Sequence, residues 1–146
     1  MVKLTPNVTD IAGIAKGVEE AGADGVSLVN TFLAMSINIE TGKPYLHNKT
    51  GGYSGPAIRP IALRMVWQVA QAVKIPVVGM GGIVSTEDAV AFLMAGARAV
   101  AVGTGTMIQP FTAPQIADGL AQWLTEHGYQ SVSEIIGLAL PSAVDC

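Results

Sequence analysis

The chain has 146 residues, half of them hydrophobic and 13% charged, with a net charge of −3. This composition fits a globular domain with a sizeable core and excludes a disordered chain, and without a basic cluster it argues against a nucleic-acid partner. The longest uncharged stretch, residues 99–117, contains two prolines and two glycines, so it is no membrane span.

Residues 1–5 (MVKLT) read as a strand broken by Pro6, with no apolar run of the kind that opens a secretory signal. Asp10 is placed to cap a helix over residues 11–21, with Ile11, Ile14, Ala15 and Val18 on one face and Gly22 as its stop. Residues 25–29 form the next strand. The run AGADGV at 21–26 echoes AGARAV at 95–100, each a helix end feeding a strand, as expected of repeated βα units. Between 30 and 60 no long helix fits. Residues 36–40, a turn at 41–44 and residues 45–48 suggest a small hairpin excursion, followed by the glycine-rich loop Gly51-Gly52-Tyr53-Ser54-Gly55. A helix over 61–73 follows, with Ile61, Met65 and Val69 inward and Arg64 and Gln68 outward.

The stretch 76–107, PVVGMGGIVSTEDAVAFLMAGARAVAVGTGTM, organises the rest. Two short apolar runs, Val77–Met80 and residues 99–102, read as strands buried on both faces. The first ends in Gly81-Gly82 and the second in Gly103-Thr104-Gly105. Between them, Ser85 caps a helix whose first turn carries Glu87 and Asp88, and Gly96 ends it. Thr112 and Pro114 open another helix in which Ile116, Leu120 and Leu124 recur every four residues. Gly128 stops it, and Ser131-x-x-Glu134 is a capping box for a last short helix.

This alternation predicts an α/β fold with a parallel sheet, four strands each followed by a helix. That is half of an eight-unit (β/α)8 barrel, which typically needs ~250 residues. No G-x-G-x-x-G follows the first strand, so an open dinucleotide-binding sheet is disfavoured.

In a barrel the strand ends share one rim, here Lys3, Val29-Asn30-Thr31, Gly81-Gly82 and Gly103-Thr104. Two adjacent glycine turns on neighbouring parallel strands suit an anion, since glycine lets the backbone approach closely; the same glycines would also serve simply to turn tight loops. Lys3 is either a solvated strand-end charge or a site cation. Asn30 and Thr31 offer an amide and a hydroxyl to a planar polar ligand, or form an ordinary turn. His47 and His127 have no partner at metal spacing, and no metal site is expected. The single cysteine, Cys146, excludes an internal disulfide and a cysteine-based metal site within the chain, and points to a reducing, cytosolic setting.

The segment NKTGGYSGPAIRPIALRMVWQVAQ at 48–71, with VKLTPN at the start, LVNT at 28–31, GMGGI at 79–83 and VGTG at 102–105, resembles dihydroorotate dehydrogenase. It is most similar to the cytosolic, NAD-linked class 1B catalytic subunit, and covers that barrel's C-terminal half, strands five to eight. The resemblance implies a partial TIM-barrel domain over 1–146 that binds FMN. Lys3 matches a lysine beside the flavin N1–C2 carbonyl, Val29 and Gly55 match neighbours of the ring and ribityl chain, and Gly81, Gly82, Gly103 and Thr104 match the phosphate clamp. Asn30 and Thr31 match residues that hydrogen-bond orotate. The family's catalytic cysteine belongs to the other half, so no catalytic base is expected here, and Cys146 does not align with it. The implied partners are dihydroorotate or orotate, the N-terminal half-barrel, and an electron-transfer subunit carrying FAD and an iron–sulfur cluster, in an oligomer. Dihydropyrimidine dehydrogenase has a similar GG-x-SG-x-AIRPIALR segment, but SINIETGKPYLHN at 36–48 favours the first family. A flavin-binding half-barrel without activity is the non-enzymatic alternative.

Overall fold

The structure, a computed structural model, describes residues 1–141; the terminal Cys146 lies outside them. Strand β1 (Val2–Lys3) leads through a loop to helix α1 (Ile11–Glu20), then to strand β2 (Val26–Leu28). An excursion follows, with β3 (Phe32–Ala34), β4 (Ile37–Asn38), β5 (Lys43–Pro44) and β6 (Gly51–Tyr53). A 3-10 turn (Pro56–Ile58) then enters α2 (Arg59–Ala72). Strand β7 (Val77–Met80), α3 (Thr86–Met94), β8 (Ala99–Ala101), α4 (Thr104–Ile108) and α5 (Thr112–Glu126) come next, with a 3-10 turn at Val132–Glu134.

The main sheet has the order β1-β2-β7-β8 and is parallel throughout, with Val2 opposite Val26, Val26 opposite Val77, and Val78 opposite Ala99. Parallel strands need crossovers, and α1, α2 and α3 provide them. The core lies between sheet and helices, where Val26, Leu28, Val66, Val69 and Phe92 are fully buried. A second cluster of Val90, Leu93, Leu124 and Ile135 joins α3 to α5 and the last turn. Close packing explains Gly79: a Cβ there would lie 2.7 Å from Phe92 Cδ1, so any side chain would push α3 off β7.

The caps form as the sequence predicts. Asp10 Oδ1 accepts from the Gly13 amide at 2.9 Å. Ser85 and Asp88 exchange bonds in a capping box, with Ser85 Oγ accepting from Asp88 N at 3.3 Å and Asp88 Oδ2 accepting from Ser85 N at 3.2 Å.

Several local expectations are corrected. Ile14 and Ile61 are each 42% exposed, not inward. Ile14 sits about 60° round the helix from Ile11, at the margin of the apolar stripe, and the buried face of α2 is centred about 90° from Ile61, on Ala62, Met65, Val66 and Val69. Strand β8 is not buried on both faces, with Ala99 exposed and Val100 and Ala101 half-buried, because it is an edge of the sheet. The excursion is two antiparallel ribbons, β3 with β6 and β4 with β5. Its tip falls at 39–42, earlier than expected, because Asn38 Oδ1 accepts from the Glu40 and Thr41 amides, at 2.9 and 3.2 Å, and so starts the turn. Lys43 and Pro44 are therefore strand residues. The last helix is a single 3-10 turn, and α4 is an element the sequence reading did not include.

Candidate functional site

The C-terminal ends of the four parallel strands open onto one cavity of about 320 Å³. Lys3 comes from the end of β1, Val29, Asn30 and Thr31 follow β2, Gly81 and Gly82 follow β7, and Gly103 and Thr104 follow β8. Gly55 arrives from the loop before α2. All nine residues singled out in the sequence thus border the same space, although they span about a hundred positions. Parallel strands explain it, since every strand delivers its last residues to the same rim.

Backbone bonds fix this rim. Val29 N donates to Met80 O at 2.9 Å and Asn30 N to Leu4 O at 3.2 Å, so the segment after β2 is tied to its neighbours on both sides. The peptide bond between Leu28 and Val29 is cis. Ile58 N donates to Gly55 O at 3.1 Å and turns the chain into α2.

The two glycine turns have different environments. Gly82 has φ of +78°, and a Cβ there would stand 2.7 Å from Gly55 O and 2.9 Å from Arg59 Cβ. Only glycine fits this left-handed, crowded position. Gly103 faces open space, where a Cβ would meet nothing within 4 Å. The amides of Gly82 and Gly103 donate to no acceptor among the described residues. Unpaired amides at the mouth of a cavity form a concavity suited to an anion. The rest of the lining includes an apolar group, Val29, Ile58, Met80, Ala101 and Val102.

Sequence reasoning missed several supports. Ser54 lines the cavity and accepts from the Thr104 hydroxyl at 2.8 Å; its place inside the glycine-rich loop was the available signal. Arg59, at the start of α2, pairs with Asp88 at the start of α3, and Asp88 also accepts from the Val84 amide at 3.0 Å. Asp88 is 5% exposed, so its charge is held by one guanidinium and two amides. This joins the two helices on either side of the Gly82 turn. A sequence shows the cap of α3 but not that its acid reaches α2.

The histidines lie elsewhere. His127 stacks on Trp123 with ring centroids 3.9 Å apart, and its Nδ1 is 2.8 Å from Trp123 O. His47 is exposed near the ribbons. Among the described residues no three of His, Cys, Asp and Glu converge to hold a metal, and no helix is long and apolar enough to cross a membrane.

A family model described as dihydroorotate dehydrogenase matches residues 1–124. The chain is similar to "Dihydroorotate dehydrogenase B (NAD(+)), catalytic subunit" of Trichlorobacter lovleyi, 56% identical over 94% of this chain and 45% of the relative. The proteins of the same name from Bacillus pumilus (54% identical, 93% of this chain, 44% of the relative) and Bacteroides thetaiotaomicron (56%, 94% and 45%) are comparably similar. The chain spans about half the length of the curated relatives it matches. With the family model covering most of its length and the glycine turns standing together on one rim, this chain belongs to the dihydroorotate dehydrogenase family.

Proposed function

We propose that this chain supplies strands five to eight of a (β/α)8 barrel that oxidises dihydroorotate to orotate in pyrimidine biosynthesis, with FMN as cofactor. The observation that carries this reading is the meeting of all nine expected residues around one cavity. The residues fit FMN. The open face at Gly103 and the unpaired amides suit its phosphate, and the apolar wall of Val29, Ile58 and Met80 suits a flat ring.

Bound FMN supplies the two-electron acceptor. Gly81, Gly82, Gly103 and Thr104 hold its phosphate end, Gly55 and Val29 flank the ribityl chain and ring, and Lys3 places a cation at the pyrimidine edge, where negative charge develops. Asn30 and Thr31 orient the substrate by hydrogen bonds, so that the reacting carbon is held against the ring. The proton-abstracting cysteine comes from strands one to four, which also cover the free edges of β1 and β8. The relatives' names, NAD(+)-linked catalytic subunits, support a separate electron-transfer subunit; that this subunit carries FAD and an iron–sulfur cluster, in a cytoplasmic oligomer, belongs to the proposal.

The test is to purify the chain alone and together with the N-terminal half of a relative. Together they should give yellow, FMN-loaded protein that turns over dihydroorotate, while the chain alone should show no turnover. Turnover by the chain alone would overturn the assignment of the base to the other half. Absence of FMN from the paired halves would overturn the cofactor reading.

A further inference from the structure

We infer that Asn7 is a positioning residue for Thr31, whose carbonyl it holds through its side-chain amide, and through Thr31 for the adjoining Asn30; this rests on the reading of those two residues as the substrate-orienting groups. Asn7 lies in the loop between β1 and α1, four positions beyond Lys3. Its Oδ1 accepts from the Leu33 amide at 2.9 Å and its Nδ2 donates to Thr31 O at 3.0 Å. Nδ2 also lies 3.1 Å from Thr5 Oγ1, which accepts from the Asn7 backbone amide at 3.2 Å.

The pattern of those bonds has a physical meaning. In a parallel ladder, one residue bonds the carbonyl before and the amide after the residue it faces. Asn7 does this with a side chain, taking the carbonyl of Thr31 and the amide of Leu33 and so facing Phe32. Phe32 starts β3, and its backbone partner in the ribbon is Tyr53 on the other side. The side-chain amide therefore completes the ladder at the point where the site segment becomes the ribbon. A second tie, Asn30 N to Leu4 O at 3.2 Å, comes from the same loop. The segment that carries Lys3 thus also fixes the backbone of Asn30 and Thr31.

Only an amide of this length serves both bonds. Aspartate keeps the acceptor for Leu33 but has no donor for Thr31 O and places negative charge against that carbonyl. Alanine removes both contacts. A positioned group displaced by about 1 Å loses on the order of a hundredfold in effectiveness, and Asn7 is solvent-accessible, so a loss of about tenfold is expected here.

The experiment compares the 146-residue chain with its Asn7→Asp and Asn7→Ala variants. Hydrogen exchange is measured on the chain without ligand, and orotate affinity on FMN-loaded protein completed by the N-terminal half of a relative. Asn7→Ala should exchange the Leu33 amide at least about tenfold faster, whereas Asn7→Asp, which keeps the acceptor, should leave it within about threefold, with the β7 amides unchanged in both. Both should bind orotate about tenfold more weakly while FMN content stays within about twofold. Unchanged Leu33 exchange in Asn7→Ala, or unchanged orotate affinity in both variants, overturns the proposal. So does a parallel fall of melting temperature and FMN content in both variants, which would make Asn7 a residue of the fold alone. If the completed protein with the unaltered chain takes up no orotate, the reading of the site falls, and the role inferred here falls with it. That outcome is distinct from failure of the clamp, because Leu33 exchange needs no ligand.

Discussion

The Thr104 hydroxyl donates to the Ser54 hydroxyl over 2.8 Å, joining segments fifty residues apart at the mouth of the cavity. One segment follows β8 and the other precedes α2, so a single bond sets the spacing between the two glycine-bearing walls. A hydrogen bond of this kind contributes about 1 kcal/mol net, or about fivefold in affinity where it holds a ligand site. Thr104→Val and Ser54→Ala should each weaken FMN binding by about that factor, and the double variant by little more than either alone. Fully additive losses, measured by fluorescence titration of FMN, would mean that the two hydroxyls act independently.

Gly82→Ala and Gly103→Ala should behave oppositely. At Gly82 an added Cβ meets Gly55 O at 2.7 Å in a left-handed conformation. Strain of about 1–2 kcal/mol adds to overpacking of about 1–3 kcal/mol, so the melting temperature should fall by several degrees. At Gly103 the Cβ meets nothing, and the melting temperature should not change. Loss of FMN affinity in Gly103→Ala would then report crowding of the ligand itself. A destabilised Gly103→Ala protein would show that this turn is built for the fold.

Lys3→Ala should slow reduction of bound FMN by dihydroorotate in the completed barrel far more than it weakens FMN binding. The charge acts where negative charge appears and is distant from the phosphate clamp in the proposed arrangement. Stopped-flow reduction and equilibrium titration separate the two effects. An unchanged reduction rate would remove Lys3 from the chemistry.

Asn30→Ala should weaken orotate binding while FMN content stays nearly constant, because its backbone tie to Leu4 does not use the side chain. Loss of the flavin instead would make Asn30 a residue of the cofactor site.

The Ser85 hydroxyl, helped by the Glu87 backbone, holds the exposed Glu87 carboxyl below the ordinary glutamate value. A carboxylate depressed in the folded state contributes stability that is present above its unfolded value and fades as pH falls through the lowered one. Ser85→Ala should therefore raise the Glu87 titration midpoint, read by carboxyl NMR, and weaken the acid-side dependence of stability. The same change removes a helix cap worth about 1 kcal/mol at neutral pH. An unmoved Glu87 midpoint would show that the hydroxyl does not reach it.

What was legible in the sequence was what local chemistry decides. Strand β7, the Ser85 cap, Gly82 and the stop at Gly96 each follow from a few adjacent residues, and the rim residues follow from strand ends. The hairpin at 36–48 was legible but not the place of its turn, which Asn38 sets, and the β3–β6 ribbon was not legible, because Phe32 pairs with Tyr53 across the whole excursion. The inward faces of α1 and α2 were read from periodicity, which gives a stripe but not the angle at which neighbours meet it; Ile14 and Ile61 fell outside. The contacts of Asn7 and Asp88 were hidden for a related reason. A polar side chain shows what it can bond, whereas its partner depends on which elements the fold brings alongside.

The arrangement of β1, β2, β7 and β8 also bears on the order of assembly. Their core is on the helix side of the sheet, and all four strand ends of this one covalent run contribute to the cavity's lining. An anion cradle of this kind can form before a barrel closes. A ligand held there stabilises the folded half by RT ln(1 + [L]/Kd), about 2.7 kcal/mol at a hundredfold excess over Kd. The cofactor would then serve as a template on which the remaining strands add, and its supply during synthesis would govern the yield of closed barrel.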